Sequence, residues 1–325
     1  MNKTRFDFRK DAIAAAVQMY PQLNLDANEA LYFGRQLELV RSKIFETKRP
    51  KPSAFELFPV DSSVPDFVET ITYTMYDETG FAKLVGAYAD DLPRVGLNAK
   101  QFSSTVKTIG VAYGWSTAEI RAAMGTGIPL KSRLASVARK THTNLGNQIA
   151  WFGDAEANLP GFLTNVNIPE YTIPANGTGS SKKWVDKTSD QIYDDMNQMV
   201  NQVVTQSKGL HRPNQLWLPL NQYTFIKNKK MSQYTDTTIW KAWTDANPGI
   251  EIKAVLELAA VPNFANQDVM VAIENYEDNY QFIIPMLFTE HAPQARNLSV
   301  EIPCESRIGG VVFYYPLAFV FGKGL

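Results

Sequence analysis

"SRIGGVVFYYPLAFVFGKGL", residues 306–325, closes the chain, and no charged side chain falls between Ile308 and Gly322. Chain ends are usually polar and loosely held; this one is apolar. A bilayer-spanning helix needs about 20 apolar residues, and this run is shorter and interrupted by Pro316. Val311, Val312, Phe313, Tyr314, Tyr315 and Phe319 favour a strand, with Gly309 and Gly310 marking its start. The last segment is therefore expected to be part of the core, tied into a sheet.

The 325 residues suffice for two or three compact units of roughly 100–150 residues each. A hydrophobic content of 45% and a charged content of 20% are those of an ordinary globular protein. The formal net charge of -1 marks out neither a nucleic-acid binder nor an enzyme for acidic substrates. The charge is uneven: residues 1–52 hold 10 Lys/Arg against 6 Asp/Glu, a mildly basic leading arm on an acidic body. Docking onto something negative and a plainly solvated helix with linker both fit that pattern. One cysteine, Cys304, rules out a disulfide within the chain and suits a reducing cytosol. Its apolar surroundings predict a buried, inert thiol. "AIAAAV" (12–17) is too short for a secretory leader and follows Asp11, so the chain reads as intracellular when made and its Asn176 and Asn297 sequons as unglycosylated.

Residues 11–47 read as helix in two pieces, "DAIAAAVQMY" stopping at Pro21 and "ANEALYFGRQLELVRSKIF" capped by Asp26. "TKRPKPSAFELFPVDSSVP" (47–65) carries four prolines and is expected to be an extended connector. From Val68 the pattern alternates: "VETITYTMYD", the turn "DETG", "FAKLVGAYA", turn residues "DDLP", then "RVGLNAKQFSSTVKTIGVAYGW". Strands so long and so modestly apolar expose edges that invite another chain. Ser116 or Thr117 then caps "AEIRAAM", "GTGIP" (125–129) interrupts, and Pro129 restarts "LKSRLASVARKTHTNLGNQIAWFG", which ends at Gly153. Leu130, Leu134, Val137, Leu145, Ile149 and Phe152 are expected to form its inner stripe, with Lys131, Arg133, Arg139 and Lys140 outside. Such a helix is a rod about 35 Å long. After "NLPGFLTN" (158–165) helices alternate with strands. The helix at 188–209 is expected to turn Ile192, Met196, Met199 and Val203 inward, and a second helix covers 235–249. The strands are "QLWLPL" (215–220), "IEIKAVLEL", "DVMVAI", "YQFIIPMLF", "NLSVEIP" and the terminal run.

Chemistry-bearing motifs are nearly absent. His142, His211 and His291 lie far apart with no metal partner at helical spacing, and no Cys/His cluster suits zinc. His142 is expected to be solvated or capping. "GTGSSK" (177–182) lacks the Gly-Lys-Ser/Thr core of a phosphate loop and reads as a surface loop. The pairs Asp90–Asp91 and Asp194–Asp195 point apart on regular structure, and "ENYEDNY" (274–280) reads as a turn. No nucleophile elbow is present. Lys131, Arg133, Arg139 and Lys140 could screen nucleic-acid phosphates without sequence preference, and a solvated face explains them equally well. No aromatic platform accompanies them.

The order of parts, together with "YDETGFA", "YADDLP", "YGWSTAEI" (113–120), "LPGFLTN", "IEIKAVLELA" and "SRIGGVVFYYPLAFVFGKG", resembles the major capsid proteins of tailed bacteriophages, whose Hong Kong 97-type fold is shared with encapsulins. The resemblance runs from about residue 70 to the end; residues 1–65 match only in type. It implies an α+β fold: an N-terminal arm and strap (1–65), a projecting β-hairpin or E-loop (66–115), a peripheral domain with a long spine helix (116–164), an axial α/β domain (165–290) and returning peripheral strands (291–325). It further implies a homo-oligomer of hexamers and pentamers closing an icosahedral shell around double-stranded DNA, with portal, scaffolding and decoration proteins as further partners and no membrane. It implies no enzyme, cofactor or metal, and a virion capsid made in the host cytoplasm. The lumen-facing DNA contacts would be Lys131, Arg133, Arg139 and Lys140. In some relatives a hairpin lysine is cross-linked to a neighbour's asparagine; no motif carries that reaction onto Lys83. An encapsulin-like compartment and a cytosolic enzyme are the alternatives.

Overall fold

The structure, a computed structural model, describes residues 50–79, 83, 94–126 and 130–325. The two arm helices, the turn and strand expected over 80–93 and most of "GTGIP" lie outside those residues. The chain divides into one unit at Met1–Lys51 and a second at Pro52–Leu325.

The elements of the second unit begin, in chain order, with α1 (Ala54–Leu57), β1 (Val60–Asp61), β2 (Thr70–Thr79), β3 (Gly96–Thr105) and β4 (Lys107–Ser116). Next come α2 (Thr117–Thr126), α3 (Leu130–Phe152), β5 (Glu170–Thr172), α4 (Ser189–Gln206), β6 (Gln215–Pro219), α5 (Leu220–Asn228) and α6 (Ile239–Ala246). Strands then dominate: β7 (Glu251–Val255), β8 (Val269–Ile273), β9 (Tyr280–Ile283), β10 (Met286–Glu290), β11 (Gln294–Arg296), β12 (Ser299–Ile308), β13 (Val311–Phe313) and β14 (Phe319–Lys323).

The five-stranded sheet β5-β14-β8-β6-β7 is mixed, and every residue of β8 is buried. Because side chains alternate along a strand, its two faces feed two cores. Leu216, Leu218, Met270, Ala272 and Val320 pack with Ile192, Met196, Met199 and Val203 of α4, Ile226 of α5, and Ile239 and Trp243 of α6. The opposite residues, Trp217, Val269, Val271, Ile273, Phe319 and Phe321, pack with Trp151 at the end of α3 and with Tyr280, Phe282, Val311 and Phe313 of the small sheet β1-β9-β13. Helix α4 starts as its sequence requires: Thr188 Oγ1 accepts from the Gln191 N–H while the Gln191 side chain accepts from the Thr188 N–H, a capping box. The four α4 residues expected to point inward all do.

The terminal stretch is core, as its composition requires. It divides between layers, however: β13 pairs with β9, whereas β14 lies between β5 and β8 in the five-stranded sheet. Grouping all of 291–325 with the spine side therefore fails at β14, whose alternate side chains supply both faces of the α/β layer.

Two other expectations are corrected. The Pro-rich connector is not extended throughout. Ala54 N–H donates to Asn147 Oδ1 at 2.8 Å and the Trp151 indole N–H to Ser53 Oγ at 2.9 Å, fixing α1 against α3. Phe58 is buried against the rings of Trp151, Phe162, Trp217, Tyr280 and Phe282, and β1 runs parallel to β9. Residues 94–115 are not one hairpin limb either. β3 pairs with β2, but after the buried Val106 the chain changes partner and β4 runs antiparallel to β12 from Ser116↔Ser299 to Lys107↔Ile308. Helix α5 went unpredicted.

Candidate functional site

Three features stand outside the core: the β2–β3 hairpin, the outer side of α3, and a set of paired ionisable groups. In "TITYTM" (70–75) threonines alternate with Ile71, Tyr73 and Met75, so this part of β2 has one polar and one apolar face, and Tyr76 follows on the threonine side. Tyr73 lies opposite Phe102 and Ile71 opposite Ser104. Near the root this apolar face meets the body. Tyr73 stacks on Phe102 with centroids 5.4 Å apart and meets Tyr314 edge-on at 5.4 Å, and its hydroxyl donates to Phe313 O at 3.2 Å. Burial, with Tyr314 adding to it, raises the Tyr73 pKa. Ser104 Oγ donates to Gly309 O at 2.8 Å, Thr105 Oγ1 to Asn158 O at 2.9 Å, and Arg307 to Asp66 O. Further out nothing among the described residues covers the strands: Tyr76 is 65% and Leu97 62% exposed. Ten paired residues per strand make a finger of about 34 Å. Two-stranded hairpins are marginal in water without a partner surface.

Helix α3 packs its inner side on the sheet formed by β4, β12, β10 and β11. One buried line is Ala138, His142, Gly146 and Ala150, at i, i+4 spacing; of the aliphatic stripe expected, Ile149 is buried and Leu134 and Phe152 pack against the cores. Val137 and Leu145 are 57% and 40% exposed. The small residues are needed for close approach: a Cβ on Gly146 would sit 3.0 Å from Phe55 Cζ and 3.3 Å from Ile308 Cδ1. At its end, Gly153 takes φ +67 where a Cβ would collide with Leu159 O at 2.5 Å, a position that only glycine fills without strain. Before α3, Ser116 caps α2. Its Oγ accepts from the Glu119 N–H at 3.2 Å, and Glu119 accepts from the Ser116 N–H at 2.7 Å, which lowers the Glu119 pKa.

The four basic candidates do not form one face. Arg133 is half-buried; Arg139 and Lys140 are exposed. Seven residues apart, Arg133 and Lys140 return to within about 20° of each other around the helix, whereas Arg139 is turned about 100° from its neighbour. Arg139 lies over the Phe288 ring at 5.3 Å. Lys131 is in the first turn of α3, and its side chain is outside the described set.

His142 is not solvated, contrary to expectation. It is buried, with Nδ1 2.9 Å from Ser306 Oγ and its ring edge-on to Phe288. Nε2 has no partner, and burial lowers the pKa. His211 Nδ1 lies 2.6 Å from Glu274, and His291 Nε2 2.8 Å from Glu305. Asp194 and Asp195 point apart: Asp194 is exposed, while Asp195 is buried 2.6 Å from the Lys187 ammonium and accepts from the Trp184 indole N–H at 3.1 Å. Burial pushes the Asp195 carboxyl up, and Lys187 opposes it. No sequence motif pointed to this pair, because Lys187 is joined to Asp195 only by the turn before α4. Residues 178–180 form an exposed turn, residues 274–280 link β8 to β9, and the Cys304 thiol is buried with a raised pKa. Among the described residues no three His, Cys, Asp or Glu side chains gather as metal ligands, and no helix is long and apolar enough to cross a membrane.

A family model described as major capsid protein matches residues 80–325. No curated protein matches the chain. Among solved structures, the capsid of Myoviridae phage XM1 aligns with a TM-score of 0.78 at 15% identity, covering 90% of this chain and 98% of that one. The capsid of a native GTA particle aligns at 0.61 and 12% identity, covering 92% and 99%. A virus-like particle from Pyrococcus furiosus aligns at 0.50 and 12% identity, covering 82% and 90%. At these identities the likeness is one of fold.

Proposed function

The chain belongs to the major capsid protein family, and from that premise we propose that it closes an icosahedral shell of hexamers and pentamers around double-stranded DNA. The observation that carries this reading is the hairpin, whose root is fixed to the body and whose outer half leaves Tyr76 and Leu97 uncovered. The arm at the head of the arm-and-strap region (1–65), whose strap from Ser53 to Asp61 is fixed to the body, and the hairpin (66–115, with β4 returning to the body) would reach other copies. The spine region (116–164 and 291–325, less β14) forms the periphery, and 165–290 the axial domain. Many modest contacts, repeated by symmetry, supply the stability of such an assembly. Arg133 and Lys140, which share a side of the helix, would face the lumen and neutralise DNA phosphates without sequence preference; Lys131 and Arg139, on the same helix but not on that side, would add to the local positive charge. Portal, scaffolding and decoration proteins would join the shell in the virion, and synthesis would take place in the host cytoplasm. We assign no catalytic, cofactor or metal site.

Electron microscopy of the purified full-length chain tests this. Shells or rings are expected. Uniform monomers at high concentration would overturn it, and shells isolated from infected cells that enclose a folded cargo protein in place of DNA would support the encapsulin-like alternative.

A further inference from the structure

A hairpin anchored only at its root can point in many directions, whereas a closed shell requires each copy to direct it onto a neighbour within a narrow range. Besides Thr105, which reaches Asn158 O, the root meets the terminal run of the body at two places. On β2 the Tyr73 ring is held between Phe102 and Tyr314, and its hydroxyl reaches Phe313 O. On β3 the buried Ser104 reaches Gly309 O, earlier in the same segment. Both contacts land on "GGVVFYY" (309–315), the stretch that faces the core with Val311 and Phe313. Tyr314 is itself held by donating to Gln281 Oε1 at 2.9 Å on β9. The terminal run thus joins the core on one side and seats the hairpin on the other.

We propose that Tyr73, assisted by Ser104, is a positioning residue that sets the hairpin's direction by clasping its root to residues 309–314. The aromatic sandwich restrains rotation about the strand axis, because stacked and edge-on ring pairs have preferred geometries. The hydroxyl bond to a main-chain carbonyl fixes the distance from β13. Two anchors on opposite strands leave little freedom for the finger to swing. This rests on the hairpin being the part laid over a neighbouring copy.

The test uses the full chain with Tyr73→Phe, Tyr73→Ala and Tyr76→Ala, read by amide hydrogen exchange of the unassembled subunit and by particle diameter in electron micrographs. Tyr73→Phe keeps the ring and loses the hydroxyl bond, so hairpin amides are expected to exchange about fivefold faster. Tyr73→Ala is expected to add roughly a further tenfold and to give shells of mixed or open form, while amides of β6 exchange as in the parent chain. Tyr76→Ala, which lies beyond the clasp, should reduce the yield of particles and leave their diameter and the root exchange unchanged. Uniform parental particles from Tyr73→Ala would overturn the proposal. So would Tyr73→Phe with unchanged exchange and size beside a Tyr73→Ala whose exchange rises throughout the core. Failure of the overlay itself would show in the parent chain alone, as hairpin amides equally open in subunit and shell; failure of the clasp shows only in the variants.

Discussion

Burial holds the His142 imidazole below its ordinary pKa, with Ser306 and the edge of Phe288 facing it. A histidine whose folded pKa is depressed takes up its proton more readily when unfolded, so its contribution to stability is full above the unfolded value and declines as the pH falls below about 6.5. Denaturant midpoints should therefore drop as the pH is lowered through that window, and His142→Asn should flatten part of the slope. An unchanged slope would show that His142 is not the titrating group. The sequence placed His142 on a polar side because Lys140 and Thr141 precede it and Thr143 follows; what it hid was that Ala138, His142, Gly146 and Ala150 make one line.

At the scale of elements, the terminal strands matter most. β13 and β14 put Val311, Phe313, Phe319, Val320 and Phe321 into both faces of the central layers. Each fully buried residue of this size contributes about 2 kcal/mol, against net domain stabilities of about 5–15 kcal/mol. Deletion of residues 308–325 should leave no soluble folded protein, as judged by circular dichroism and gel filtration; a cooperatively melting truncation would contradict this. These strands were legible because β-branched and aromatic residues are dense in them and charge is absent. Helix α4 was legible through Thr188, Gln191 and a regular apolar spacing. Helix α5 was not, since "LNQYTFIKN" buries only Ile226 and follows Pro219 directly. The anchoring of Phe58 was hidden by its four neighbouring prolines, which describe the backbone and say nothing of where one ring inserts. The hairpin's alternation was visible; that Val106 marks a change of partner was not, because β3 and β4 continue the same alternation.

For the whole molecule, neither net charge nor a catalytic motif identified the function; the order of parts together with short stretches such as "YDETGFA" and "LPGFLTN" did, and the family match over residues 80–325 agrees with it. An assembling subunit carries its chemistry in surfaces, and the buried ion pair among the described residues, Lys187–Asp195, joins the turn before α4 to that helix. The hairpin is the element that a solitary subunit leaves unfinished: among the described residues both its edges are unpaired and Tyr76 and Leu97 are uncovered in its outer half, yet its root is held in place. A specific interface typically buries about 1,600 Å², and a finger of about 34 Å, if laid along a neighbour as proposed, would supply a large share of that. Amide hydrogen exchange over Thr70–Thr79 and Gly96–Thr105, compared between unassembled subunit and assembled shell with β6 as the reference, addresses this most directly. The outer hairpin amides should be open in the subunit and strongly protected in the shell while β6 does not change; equal protection of the hairpin in both states would contradict its role as a contact between copies.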